Sequence, residues 1–414
     1  MNDTILTEKK IFGWGKYEFT ILWWFFVVWG LIFLDRLVMP FTAPLVMVDL
    51  GITEVQYGLI NTFTTGAYAL SAIFLTGVLE STGKRKNWLV LMCLGAGVFA
   101  CLGAATQDVW QLLITRALVG FFEGPIAPLI FAILMKESSS HRVALNTGII
   151  NMGVSVVAVT IGPIVVTQIA TASNWRMSFL IAGGISIVAS AFLFKYVKEK
   201  AFIPEDKKAT MLDTFKKLFK YRNVVLSFII GIVTMVCYWT LVLYATRFFV
   251  EVAGNELVGA GYIISIMGGV GIVMVILVPK ISDFIGRRKA LVMWFLVYAI
   301  MPFVMFGAQT SIIAVVLYAV LGAIPGSIFP FFQSIIPSET LPNYMMGTAS
   351  GLIIGLAEIL GGAAWPAAAG FIAGSNGIPS VILFAGFAAI IAAVLSLFLK
   401  ETVGKKDEVQ GDTL

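Results

Sequence analysis

Histidine occurs once in the 414 residues, as His141, and cysteine three times, as Cys93, Cys101 and Cys237. His141 falls in a polar stretch between apolar segments, so a membrane-buried histidine relay or a histidine zinc site is excluded. The cysteines lie inside apolar runs, at spacings that suit neither a metal site nor a disulfide framework. Charge is scarce too. Asp, Glu, Lys and Arg make up 12% of the chain, against about a quarter in soluble domains. What remains is apolar: 59% hydrophobic residues and a mean hydropathy of +0.94. No cofactor and no metal are expected, and any proton chemistry within the membrane has to use carboxylates.

A spanning helix needs roughly 20 apolar residues, and twelve such stretches are present. They begin near Phe19, Val55, Trp88, Val109, Val143, Trp175, Arg222, Leu257, Arg288, Ser311, Met345 and Ile378. The spans leave no room for a soluble catalytic domain, and no nucleophile–base pattern appears, so the chain is not expected to be an enzyme. The first apolar run is too long for a signal peptide and lacks a small-residue cleavage site. Of the 28 Lys and Arg residues, 24 fall in the two tails or in alternate loops: Lys84–Lys86, Lys136 with Arg142, Lys195–Arg222, and Lys280 with Arg287–Lys289. The positive-inside rule then places both termini in the cytoplasm of a multi-pass cell (inner) membrane protein. The net charge of +5 is this loop bias and does not imply a nucleic-acid partner. The expected partners are the lipid bilayer, protons and a small molecule, and the expected state is a monomer.

The longest polar stretch, Lys198 to Tyr221, divides the chain into two six-span halves. The expected division is residues 1–198, a cytoplasmic linker at 199–221, and residues 222–414. The halves echo each other. Glu80-Ser-Thr-Gly-Lys-Arg-Lys86 follows span two, and Asp283-Phe-Ile-Gly-Arg-Arg-Lys289 follows span eight, 203 residues later. A repeat at half the chain length marks duplicated transporter halves. The Gly permits a tight turn, the bases hold the loop on an anionic leaflet, and the acid can latch one conformation through a base or a helix N-terminus. Glu80, Arg85, Asp283, Arg287 and Arg288 are therefore gating candidates. Topological anchoring alone is the competing reading of the bases. Two six-helix halves, a basic central loop and this repeated loop resemble the major facilitator superfamily, whose motif reads Gly-x-x-x-Asp-Arg-x-Gly-Arg-Arg. The second copy matches at Asp283, Gly286, Arg287 and Arg288, with Phe284 in place of Arg. The first carries Thr76, Glu80 and Ser81 at the Gly, Asp and Arg positions. The resemblance implies an all-α membrane fold of twelve transmembrane helices in two pseudo-symmetric six-helix bundles.

Between Phe19 and Val48 the only charged residues are Asp35 and Arg36, side by side. They lie roughly 20–25 Å from either polar end of span one, where a charge costs at least about 2.5–3.5 kcal/mol. Adjacent helical positions diverge by about 100°, so each needs its own partner or a wet cavity. An interhelical salt bridge satisfies that need as well as a transport role does. Span four adds Arg116-Ala-Leu-Val-Gly-Phe-Phe-Glu-Gly-Pro125. Arg116 and Glu123 are two turns apart on one face, and Gly120 and Gly124 let a neighbouring backbone approach. A buried carboxylate beside an arginine can change protonation as that arginine finds or loses an anion.

Asp-Arg in span one with Arg-x-x-x-Gly-x-x-Glu-Gly in span four resembles the anion:cation symporter branch. That branch includes bacterial galactonate, glucarate and other sugar-acid permeases and the vesicular sialin relatives. The resemblance implies that Arg36 binds a substrate carboxylate and that Asp35 and Glu123, with Arg116 beside them, couple protons. The branch usually reads Asn-Tyr-x-Asp-Arg; here Ile32 and Phe33 stand in those places. Asn174-Trp-Arg176 and Pro337-Ser-Glu339 are also similar to it.

Glu358 lies thirteen residues into span eleven, near the midplane. It is either a second protonatable or substrate-binding group or a satisfied interhelical hydrogen bond. If it faces the centre, it sits across the interface of the halves from Arg36. Arg247, near the outer end of span seven, is expected to snorkel. Asn61, Asn151, Tyr238 and Tyr244 are candidate pocket liners. The sequence thus points to proton-coupled symport of a small organic anion, a carboxylate or sugar acid. One alternative is an organophosphate:phosphate antiporter, whose relatives carry an arginine midway along span seven; Met235 to Tyr244 has none. A proton-coupled drug or metabolite exporter is another; of its span-five Gly-x-x-x-Gly-Pro-x-x-Gly-Gly pattern only Gly162-Pro163 is present. A non-transporting membrane sensor is the last.

Overall fold

The computed structural model describes residues 14–139, 142–198 and 217–403. His141, most of the expected linker and the two tails lie outside the described residues. All twelve apolar segments form helices long enough to cross a bilayer: α1 (Lys16–Asp49), α2 (Glu54–Ser81), α3 (Arg85–Gly103), α4 (Val109–Glu137), α5 (Leu145–Ala172), α6 (Trp175–Tyr196), α7 (Arg222–Val252), α8 (Leu257–Ile285), α9 (Arg287–Gly307), α10 (Ile312–Thr340), α11 (Ala349–Asn376) and α12 (Ile378–Leu397). No strand occurs among the described residues. The reason is the solvent: in lipid each backbone N–H and C=O must be satisfied within its own segment, and a helix does that.

Short polar residues start the helices where the sequence places them. Thr53 and Gln56 form a reciprocal capping box at α2. Asp108 accepts the Trp110 and Gln111 amides at 2.8 and 2.9 Å, and Asn174 accepts the Met177 amide at 3.0 Å. The glycines of the repeated loop do turn the chain: Gly83 has φ +73° and Gly286 φ +93°, a region that favours glycine. Five helices carry a π-helical turn, at Ser71–Leu75, Val154–Ile161, Phe248–Val252, Phe331–Ile335 and Glu358–Ala363. Such turns interrupt the regular ladder and recur at functional positions.

The two halves meet from the midplane to the end remote from the chain termini. There α2 packs on α11: a Cβ on Gly58 would collide with the Pro366 carbonyl oxygen and sit 3.1 Å from the Gly370 Cα. The α8 helix crosses α5 with Gly268 against Val159 and Gly261 against Thr167. Tyr57 Oη donates to the Leu243 carbonyl at 2.8 Å. Arg247 corrects the expectation of snorkelling. It is 2% exposed, held by Glu54 of α2 and Glu251 of its own helix. On the termini side, polar networks join helices of one half. Asn146 donates to Glu18 at 2.8 Å and accepts from Trp14, while Asn223 brackets Lys400 at 3.0 and 2.9 Å.

Candidate functional site

Five ionisable side chains are buried together at the centre: Asp35 and Arg36 of α1, Arg116 and Glu123 of α4, and Glu358 of α11. The expected close approach of α4 is present. A Cβ on Gly120 would collide with the Thr64 carbonyl oxygen, so α4 lies directly on α2. That contact sets the α2 side chains Thr65 and Tyr68 beside α1.

Arg36 is the hub. Its Nη2 donates to Glu358 Oε1 at 2.9 Å and to Thr65 Oγ1 at 3.1 Å. Its guanidinium carbon stands 4.3 Å from the Tyr68 ring centroid and 4.5 Å from that of Trp239, so the cation meets one aromatic ring from each half. Arg116 Nη2 donates to the carbonyl oxygens of Asp35 and Arg36 at 3.2 and 3.3 Å, and its Nη1 is 3.8 Å from Asp35 Oδ1. It therefore ties α4 to the α1 backbone as well as balancing the aspartate. Glu123 is within electrostatic reach of Asp35, Arg36 and Arg116.

The charges do not balance. Three acids face two bases; Arg36 is paired with Glu358 and Arg116 with Asp35, which leaves Glu123 over. Several buried polar atoms have no hydrogen-bond partner among the described residues: both Asp35 oxygens, Glu123 Oε1, Arg36 Nε, Arg116 Nη1 and Trp239 Nε1. Each unpaired group of this kind costs about 1–3 kcal/mol. A cluster with this many open donors and acceptors is chemically suited to gaining a proton or an anion.

The other sequence candidates separate. Tyr238 is near the hub, its ring 5.6 Å from Trp239 and 5.0 Å from Phe329. Tyr244 is not: it packs edge-on against Tyr57 at 5.8 Å and lies 6.0 Å from Arg247, at the remote closure. Asn61 donates to the Tyr57 carbonyl of its own helix at 2.8 Å. Asn151 is exposed and donates to the Thr147 carbonyl at 3.1 Å. Tyr68, Thr65 and Trp239 were not singled out from sequence. A signal for the first two exists: Tyr57, Asn61, Thr65 and Tyr68 recur at helical spacing and form one polar stripe on α2. Trp239 gives no such signal.

The repeated loops form ion pairs within their own halves. Glu80 Oε1 is 3.6 Å from Arg85 Nη2. Asp283 pairs with Arg287, which also reaches Glu339 at 2.8 Å. Glu339 belongs to the Pro337-Ser-Glu339 run, and Glu401 carries no sequence signal of a role. Glu401 accepts the amides of Arg287 at 2.8 Å and Arg288 at 3.2 Å, at the positive N-terminal end of α9. Burial opposes its charge, but these amides with those of Val403 and Thr402 outweigh it and hold the carboxyl below its ordinary value. The last element of the family-like Asn-Trp-Arg run also has a role: Arg176 and Trp175 both donate to Asp49 and tie α6 to the end of α1.

Twelve spanning helices among the described residues, with buried opposite charges meeting between the two halves, have the architecture of a secondary transporter. The family model described as Major Facilitator Superfamily matches residues 24–366, and the chain belongs to that superfamily. It is similar to the Multidrug resistance protein MdtG of Salmonella paratyphi A (strain ATCC 9150 / SARB42), with 27% identity over 331 residues that cover 78% of this chain and 80% of the relative. Two solved structures share the fold. A bacterial homologue of the human lysosomal transporter Spinster aligns with TM-score 0.80 and 16% identity over 92% of this chain and 96% of that one. The D-xylose-proton symporter aligns with TM-score 0.73 and 15% identity over 94% and 100%.

Proposed function

We infer that the chain is a proton-coupled transporter of a small organic anion, working by alternating access of its two halves around the central cluster. The observation that carries this reading is the buried Arg36, which holds a carboxylate from the opposite half while its Nε has no partner. A guanidinium at mid-membrane that already binds one carboxylate can bind another. Asp35 and Glu123 are the proton-coupling groups in this reading, and Arg116 positions Asp35. Glu123 is the acid left without a base, and its charge is the costliest to keep. The loop bias puts both termini in the cytoplasm. The remote closure at Glu54 and Arg247 then faces outward, and the loops carrying Glu80, Arg85, Asp283, Arg287 and Arg288 form the inner gate.

A second reading, export of a drug-like compound, is favoured by the multidrug-resistance name of the relatives and by the aromatic surroundings of Arg36. One experiment separates them: transport in proteoliposomes of carboxylates and of drug-like cations, with an imposed pH gradient of either sign. Anion accumulation driven by an inward proton gradient supports the first reading. Cation movement against the proton gradient, with no anion uptake, replaces it with the second.

A further inference from the structure

The Arg36–Glu358 pair fills the centre with a carboxylate that belongs to the protein, yet fills it poorly. Glu358 Oε1 meets Arg36 Nη2, but Arg36 Nε and Trp239 Nε1, both buried, have no acceptor among the described residues. Trp239 is only 3% exposed. Gly362 marks where these groups converge. A Cβ there would lie 2.8 Å from Trp239 Nε1, 3.0 Å from Glu358 Oε2 and 3.1 Å from its carboxyl carbon. The indole nitrogen and the carboxylate thus border one small space above the Gly362 Cα without bonding to each other. Glu358 is also the first residue of the π-helical turn Glu358–Ala363.

We propose that Glu358 is an internal stand-in for the substrate: its carboxylate occupies the seat of the substrate's anionic group, and an incoming apolar-bodied monocarboxylate displaces it. This rests on the reading of Arg36 as the anion-binding residue. A free carboxylate is not tethered to α11, so its two oxygens can meet the Arg36 fork and the Trp239 indole N–H together. That satisfies donors which Glu358 leaves open. The seat offers one guanidinium, which suits a single negative charge. Beside Thr65, which accepts from the same Nη2 at 3.1 Å, its neighbours Tyr68, Tyr238, Trp239 and through Tyr238 also Phe329 are aromatic. They suit an apolar body better than a polyhydroxylated sugar acid.

Displacement has a proton consequence. Arg36 from α1 is the base within salt-bridge distance of Glu358 among the described residues. Tyr68 from α2 and Tyr238 from α7 are within electrostatic reach of Glu358, and Glu123 from α4 acts on Arg36 and Tyr68. None of these supplies a second cation. An ionised Glu358 left alone near mid-membrane is costly, so the displaced carboxylate takes up one proton from the bulk aqueous phase. One anion enters with one proton on Glu358, in addition to the coupling protons of Asp35 and Glu123, and this exchange leaves the charge of the cluster unchanged.

The test is calorimetric binding of phenylacetate and of gluconate to the purified full chain in lipid nanodiscs between pH 5.5 and 8. For the wild type, phenylacetate affinity is expected to weaken as pH rises, by up to about tenfold per unit where one proton is taken up with the anion. Glu358→Gln and Glu358→Ala are expected to bind phenylacetate more tightly than wild type at pH 8, with a flattened pH profile. Trp239→Phe is expected to weaken it about tenfold or more, the effect of one hydrogen bond to a charged group. Gluconate is expected to bind more weakly than phenylacetate throughout. The proposal is overturned if both Glu358 variants bind no tighter than wild type, fail to bind, or keep the wild-type slope. Melting temperatures identify a variant that has merely lost its fold, and the other Glu358 variant then decides. Preference for gluconate overturns the substrate class. Arg36→Ala separates the two levels: wild-type binding by that variant removes the role of Arg36 itself, whereas loss of binding there with no tightening at Glu358 removes only the stand-in.

Discussion

Arg247 on α7 grips Glu54 on α2 with two nitrogens, Nη1 to Oε2 at 2.6 Å and Nη2 to Oε1 at 2.5 Å, and thereby joins the two halves at the end remote from the termini. Glu251, one turn on, holds the same guanidinium. In the alternating-access reading, parting of the halves at this end leaves Arg247 with Glu251 and takes Glu54 from it.

Glu54→Gln is therefore expected to loosen the remote closure without leaving Arg247 unpaired. The carboxylate is partly solvated, so the effect is about 1–2 kcal/mol, a shift of roughly 5- to 30-fold in the balance between open and closed. A cysteine in place of Ala373, buried one turn on from Gly370, reports it through its rate of thiol labelling. Labelling at the parental rate would show that the pair does not hold the closure.

Arg36→Lys keeps the charge but loses the planar fork and the delocalised cation that meets the Tyr68 and Trp239 rings. Anion uptake by this variant is expected to fall at least about tenfold, and Arg36→Ala to abolish it. Direct binding measurements check both, and wild-type affinity in Arg36→Ala would sink the assignment.

Glu123→Gln mimics the protonated acid at the one position in the cluster whose charge has no base of its own. Gradient-driven accumulation is expected to stop at equilibration, while exchange of labelled for unlabelled substrate persists. Uphill uptake at the wild-type level would remove Glu123 from the coupling path.

Asp283→Asn removes one of the two acids on Arg287 but leaves Glu339 in place. If the acid latches the inner gate when that gate closes, the variant favours the state open on the termini side and slows transport without changing affinity. Cysteine labelling from the termini side, with transport rate beside it, tests this; no change in either counts against the latch.

Glu401 makes a prediction about pH. Its folded-state carboxyl titrates below the ordinary 4.5, so its contribution to stability is complete above that value. It is lost as pH falls through the lowered value. Glu401→Gln is expected to lower the melting temperature near neutral pH, with the difference from wild type shrinking on acidification. A gap that stays constant down to pH 3 would contradict it.

Much of this molecule is legible in one dimension. Twelve apolar runs of spanning length oblige twelve helices, because an unpaired backbone cannot be left in lipid. Thr53, Asp108 and Asn174 fix helix starts through bonds to amides two or three residues away. Gly83 and Gly286 are required by the turns between consecutive helices. Asp35, Arg36, Glu123 and Glu358 stand out in sequence simply because charge at mid-membrane is expensive, and the structure does bring Glu358 to Arg36 across 322 residues.

Only the tertiary structure decided which partner each charge takes. Arg247 looked like a snorkelling side chain because one of its partners, Glu54, is 193 residues distant in sequence; Glu251, at four residues, was within reach of a helical-spacing argument. Tyr244 shares a helix with Tyr238, yet packs on Tyr57 at the remote closure while Tyr238 remains by the hub. The aromatic pair beside Arg36 takes one ring from each half, so it exists only through the way the halves close. Sequence fixes which residues are costly to bury, since that depends on side chain and depth alone. Which donors stay open around Arg36 depends on how α2, α7 and α11 pack against α1, and local pattern carries no information about that.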